Sequence, residues 1–273
     1  MTLSELFPDE DYRFQIKFER ALPGDFFAPT DRHNELIAER QRWLERARPR
    51  HAAALPGSGP LIDETIELGL EWKTLPPDGL RAAATMDDPL SACVVLGTKW
   101  EPDFLLLNVD AADSVRLVAA AVCFPSSWAL EEKIGHPVEI IHGVVPGLNR
   151  TIGAQIQTFL TKLKPGVAWL RSNWGLSRSP ELNQHPARGL PRLDQTVQLE
   201  EVWLRVEEQA IVALPRTSGL LFGIRIVTYP LAEIAKSGVG PRLARALRTM
   251  PDALCTYKGL GFARNRLVAC LEL

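Results

Sequence analysis

Histidine chemistry has few places to occur in this chain, which carries five histidines in 273 residues. His33 and His51 bracket a polar N-terminal segment and are expected at the surface. His136 stands in Gly-His-Pro, a turn, and His185 in a Pro/Asn/Arg-rich stretch over 177–195 that reads as a surface loop. His142 alone has an apolar, strand-like setting, Val138-Glu-Ile-Ile-His142-Gly-Val-Val-Pro-Gly147. No second histidine stands at metal-ligand spacing, which argues against a two- or three-histidine metal site. One imidazole is enough to hold a heme iron, because the macrocycle supplies the in-plane ligands. A buried histidine with a satisfied hydrogen bond is the other reading of the same residue.

Arg225 is the second candidate, embedded in the apolar run Leu220-Leu-Phe-Gly-Ile-Arg-Ile-Val227. A lone buried charge is costly, so this arginine requires partners. Gly223, one same-face position away, removes a side chain and leaves room for something to approach the sheet. In the preceding strand, alternation puts Trp203, Arg205, Glu207 and Gln209 on one face and Val202, Leu204, Val206 and Glu208 on the other. A hairpin centred near Thr217 sets Gln209 across from Arg225, with Glu207 as its diagonal neighbour. A register slip of one residue exchanges the faces. Two readings stand: an arginine aimed into a ligand pocket beside a glycine gap, or an Arg225–Glu207 ion pair at a sheet edge.

The elements that position these residues are read from periodicity. Leu36, Ile37, Trp43 and Leu44 predict a helix over 32–48, with Arg40, Arg42, Arg46 and Arg48 on its solvated faces. Leu55-Pro-Gly-Ser-Gly-Pro60 is a loop that separates a helical extension, residues 1–60, from a main domain, residues 61–273. Short apolar runs predict strands at 93–96, 104–109, 115–124, 167–173, 202–214 and 220–230. Helices are expected over 151–163 and over 231–250, the latter interrupted at 238–241. Strands cluster instead of alternating with helices, so the fold class is α+β with an antiparallel sheet. No GxGxxG ahead of a helix, P-loop, HExxH or GxSxG occurs.

Composition narrows the class further. With 31 basic and 33 acidic side chains the formal charge is −2, which argues against a nucleic-acid protein working through bulk positive charge. The longest uncharged stretch, 117–130, contains Pro125 and is shorter than the ~20 apolar residues a spanning helix needs, so no membrane role is expected. The acidic start shows no secretory signal. The cysteines at 93, 123, 255 and 270 form no CxxC pair and read as buried free thiols in a reducing cytoplasm.

Several short motifs then stand in a recognisable order: Cys123-Phe-Pro-Ser-Ser-Trp128, Glu132-Lys-Ile-Gly135, Ile141-His142 with Val145-Pro-Gly147, Arg171-Ser-Asn-Trp174, Arg205-Val-Glu207 with Gln209, and Leu214-Pro with Phe222-Gly-Ile-Arg225 and Tyr229-Pro-Leu231. In these motifs, over residues 90–260, the chain resembles the catalytic-subunit-like proteins of heme-dependent oxidative N-demethylases. The resemblance implies a heme b protein on a PAS-like antiparallel sheet flanked by helices. It implies an oxygenase that removes a methyl group from a small alkylamine, consuming O2, releasing formaldehyde and drawing electrons from a separate reductase protein. Carried over residue by residue, it makes His142 the axial iron ligand and Arg225 the distal residue facing oxygen. Glu207 and Gln209 would orient Arg225 or meet a cationic amine, Gly223 would leave room at the cofactor, and Trp174 or Tyr229 would supply a cation–π wall. Glu208 departs from the basic residue expected there. A non-catalytic heme or small-ligand sensor on the same fold is the alternative, and assembly into a homo-oligomer is left open.

Overall fold

The computed structural model describes residues 2–76 and 88–272. Its centre is a seven-stranded antiparallel sheet of β1 (Glu19–Ala21), β2 (Ala52–Ala54), β3 (Asp103–Val109), β4 (Val115–Ala121), β5 (Ala168–Ser177), β6 (Trp203–Ala213) and β7 (Leu220–Pro230), in the order β1-β5-β6-β7-β3-β4-β2. The α+β class follows from this sheet and the helices on both of its faces. Residues 1–60 supply both outer strands, so this segment completes the sheet.

The central strands are apolar on both faces because both are covered. In β3, Phe104 and Leu106 point to one side and Leu105 and Leu107 to the other, and all four are buried. Leu105, Leu107, Ile211 and Ile224 pack with Val138 and Leu160 on the first face. The second face carries two clusters. Ala210, Val212 and Leu221 meet Phe27, Ile62 and Trp100, while Leu176, Leu204 and Val206 meet Leu243, Leu247 and Leu267 near the C-terminus.

The β6–β7 hairpin pairs Glu208 with Arg225 and Gln209 with Ile224, one residue away from the register expected from a centre at Thr217. The turn explains the shift. Leu214 N donates to Gly219 O at 2.8 Å, and Ser218 takes a left-handed φ of 57°. The slip puts Glu207 and Gln209 on the face opposite to Arg225.

Four other expectations are revised. Residues 93–96 lie in a helix, Pro89–Gly97, whose start is set by Asp88 accepting from Leu90 N and Ser91 N and by proline at the first helical position. His142 lies in the helix Val138–Gly143, not in a strand. The helix at 151–163 begins as a π turn, Asn149–Gly153, before continuing as Ala154–Thr161. The N-terminal helix runs His33–His51 with a break at Ala47, two residues ahead of Pro49, which can donate no backbone N–H.

Two residues expected at the surface and one expected on a solvated helix face are buried. Arg40 pairs with Asp103, and its Nε donates to Gly97 O at 2.8 Å. Asp103 in turn accepts from Cys123 N at 2.7 Å and Phe124 N at 2.9 Å, fastening the long helix to the sheet. His51 packs beside His185, with Nδ1 of His51 at 2.9 Å from Val122 O and Nε2 of His185 at 3.1 Å from Glu131. The stretch 177–195 is therefore held against the protein. Arg205, whose guanidinium donates to Phe124 O at 2.7 Å and Leu182 O at 2.6 Å, is one of its anchors.

Candidate functional site

A cavity of about 390 Å3 opens over the first sheet face, within the ~300–1,000 Å3 of small-molecule sites. Leu105, Leu107, Leu117, Ile211 and Phe222 form its floor. The helix Val138–Gly143 and the turns following it form one wall, and residues 5–8 and 10–18 form another. That N-terminal stretch follows the β5 edge: Phe7 packs edge-on against Trp174 at 5.0 Å, Tyr12 lies 6.4 Å from the same ring, and Glu19 pairs with Leu170.

His142 reaches the cavity from the last turn of its helix. Its imidazole is partly buried, and among the described residues neither ring nitrogen has a hydrogen-bond partner. Burial, reinforced by the positive charge of Arg171, holds its pKa down at about 4. The ring is thus neutral at physiological pH, the form in which imidazole binds a metal. Among the described residues no group of three His, Cys, Asp or Glu gathers to hold a bare metal ion. The donor on offer is one free imidazole above apolar walls, which fits a metal that brings its own macrocycle.

Polar groups converge from β5 and β6. Their register sets Arg171 opposite Gln209 and Asn173 opposite Glu207, all on the cavity-facing side. Gln209 Nε2 donates to Glu207 at 2.9 Å and Asn173 Nδ2 at 3.4 Å. Burial depresses the pKa of Arg171, with Glu207 and Tyr12 opposing that effect. Lys258 arrives from the C-terminal region, donating to Trp174 O at 2.6 Å with its ammonium 5.3 Å from the Trp174 ring centre. Burial holds Lys258 down at about 8, and pushes Tyr12 up to about 12.

Of the residues singled out in the sequence, His142, Trp174 and Gln209 line this cavity, and Glu207 stands directly behind Gln209. Arg225, Gly223 and Tyr229 do not. Arg225 lies on the second face, paired with Glu101 and donating to Phe26 O at 2.9 Å and to Ala28 O. An ion pair was one expectation for it, but the partner is Glu101 and not Glu207. The space beside Gly223 is filled by Phe26 and Phe27: a Cβ there would meet Phe27 Cζ at 2.7 Å. Tyr229 packs against the C-terminal cluster. Arg225 therefore lies on the face of the sheet opposite to the one that carries His142, with the thickness of the sheet between them.

Arg171, Lys258 and Tyr12 were not singled out as site residues. Arg171 carried a usable signal, since it occupies an apolar strand as Arg225 does. Lys258 and Tyr12 carried none, because their placement depends on chain segments far from the sheet in sequence.

Residues 77–268, well over half of the chain, match the model described as haem-dependent oxidative N-demethylase, alpha subunit-like.

Proposed function

The chain belongs to the haem-dependent oxidative N-demethylase, alpha subunit-like family, and from that premise we propose that its cavity takes heme b with His142 as the iron ligand. The observation that carries the proposal is the His142 ring: neutral, partly buried, facing an apolar cavity, and without a hydrogen bond to either nitrogen among the described residues. When bound, the heme supplies the redox chemistry by which O2 and external electrons remove a methyl group from a small alkylamine as formaldehyde.

The chain's own residues bind, orient and exclude water. Phe159, Ile156, Leu148 and Phe222 keep the cavity dry, which strengthens every polar contact inside it. With Gln209 Nε2 committed to Glu207, the Gln209 carbonyl oxygen is left to accept from the N–H of an amine. The sheet with helices on both faces supports the PAS-like reading. The alpha-subunit-like description supports a partner protein, which we assign as the source of electrons.

The test begins with the absorption spectrum of purified protein reconstituted with hemin. A Soret band is expected, with His142→Ala losing the heme or shifting the band. Unchanged uptake and spectrum in His142→Ala would overturn the ligand assignment. Formaldehyde release is then assayed with a chemical reductant, O2 and a panel of methylamines including dimethylamine. Heme bound without turnover on any of them would replace the enzyme by a heme-binding module.

A further inference from the structure

Arg171 lines the cavity half-buried. Its guanidinium carries five N–H donors, and among the described residues none makes a hydrogen bond or close ion pair. Lys258 approaches the same wall and spends one donor on Trp174 O. Each of the two cations lies within electrostatic reach of the other and of Glu207. Glu207 is shared between them and already accepts from Gln209 and Asn173.

The other acids around the cavity are engaged at its mouth. Glu5 accepts from Thr2, Glu10 from Arg13 and Gln15, and Asp11 from Arg245. The inner wall therefore carries two positive charges against one negative. A half-buried guanidinium with no protein partner has its donors free for an anion entering the cavity.

We propose that Arg171 and Lys258 form a binding site for a carboxylate carried by the ligand of this cavity. One uncompensated positive charge matches a singly charged carboxylate better than a phosphate dianion, and the planar guanidinium fork fits its two oxygens. The apolar remainder of the cavity requires that the carboxylate hang from an apolar body. Two ligands have this chemistry: a heme propionate, or the acid group of an N-methylated amino acid. The inference deepens the heme reading, on which its first source rests.

Metal-free protoporphyrin IX and its dimethyl ester separate the carboxylate from the iron, with binding read by quenching of tryptophan fluorescence. If the propionate is the occupant, the parent protein binds the diacid more tightly than the diester. Arg171→Met and Lys258→Met then each weaken the diacid roughly tenfold and leave the diester unchanged. If the substrate is the source, porphyrin affinities do not move. N-methylglycine then perturbs the spectrum of the heme-loaded parent at lower concentration than dimethylamine, and the same variants abolish that preference. Arg171→Lys, which keeps the charge, retains part of the diacid or N-methylglycine preference, and it carries the test with Lys258→Met if Arg171→Met does not fold.

The proposal is overturned if parent and variants bind diacid, diester and N-methylglycine alike. Failure of the heme reading is seen separately, in His142→Ala with hemin, since metal-free porphyrin offers no iron to His142.

Discussion

Replacing Gly223 with alanine separates the two sheet faces in one experiment. The added Cβ would lie 2.7 Å from Phe27 Cζ and 2.8 Å from Phe26 Cε1. Neither ring can retreat freely. Phe27 is fully buried and stacked on Trp100 at 4.5 Å and on Trp72 at 5.7 Å, while Phe26 lies under the Arg225 guanidinium at 5.6 Å. Overpacking of this kind costs about 1–3 kcal/mol. Alanine recovers about 0.4–1 kcal/mol by restricting the unfolded chain. The balance is a loss of about 1–2 kcal/mol, or a fall in Tm of about 2–8 °C for a chain of this size. Thermal unfolding of the ligand-free protein measures it. Porphyrin affinity should stay at the parental value, because the new methyl group points away from the cavity. A variant that melts like the parent yet loses its ligand would refute the reasoning and return Gly223 to the ligand site.

Asp103→Asn leaves the buried Arg40 without its counter-charge and should lower stability by about 3–5 kcal/mol, read as a shift in the urea midpoint. Arg225→Gln strips Glu101 of its cation and should cost roughly 1–3 kcal/mol while hemin uptake is unchanged; lost uptake with parental stability would contradict its placement. In the ligand-free protein, His142 stays neutral down to about pH 4, whereas the unfolded chain protonates it near 6.5. Its contribution to stability is therefore present above pH 6.5 and lost as pH falls toward 4, and His142→Gln should flatten that part of the pH–stability profile. Arg171→Met removes one cause of the depression, so the His142 titration followed by NMR should move upward.

The sheet was largely legible in the sequence, since β7 and its partner β6 are long apolar runs bounded by turn residues, and Leu220–Pro230 coincides with its expected span. What the pattern could not carry was register. A turn closing between Leu214 and Gly219 instead of about Thr217 moves the pairing by one residue, and that step transfers Glu207 and Gln209 away from Arg225. The helix at Pro89–Gly97 was missed because Cys-Val-Val-Leu favours a strand by composition, while the Asp88-Pro89 start signal is the more decisive local feature. His142 stood out in the sequence because its neighbours are apolar, which holds in a helix wall as well as in a strand. Lys258 was invisible for a different reason. A lysine at a helix end reads as solvated, and only the fold of the C-terminal region brings it onto Trp174.

One wall of the cavity has a kinetic consequence. Residues 11–18 have no helix or strand of their own, so their hold on the protein is a small set of discrete attachments. Arg245 takes Asp9 and Asp11, Thr249 takes the Tyr12 amide, and Phe18 stacks on Phe159 at 4.1 Å. If a ligand passes under this stretch, the rate of its passage depends on how often these attachments let go. The Arg245 pairs are solvent-exposed and weaken as salt screens them. Under that condition, rising ionic strength speeds entry and escape together and shortens residence time, with the equilibrium affinity of an uncharged ligand nearly untouched; stopped-flow binding at several salt concentrations measures it.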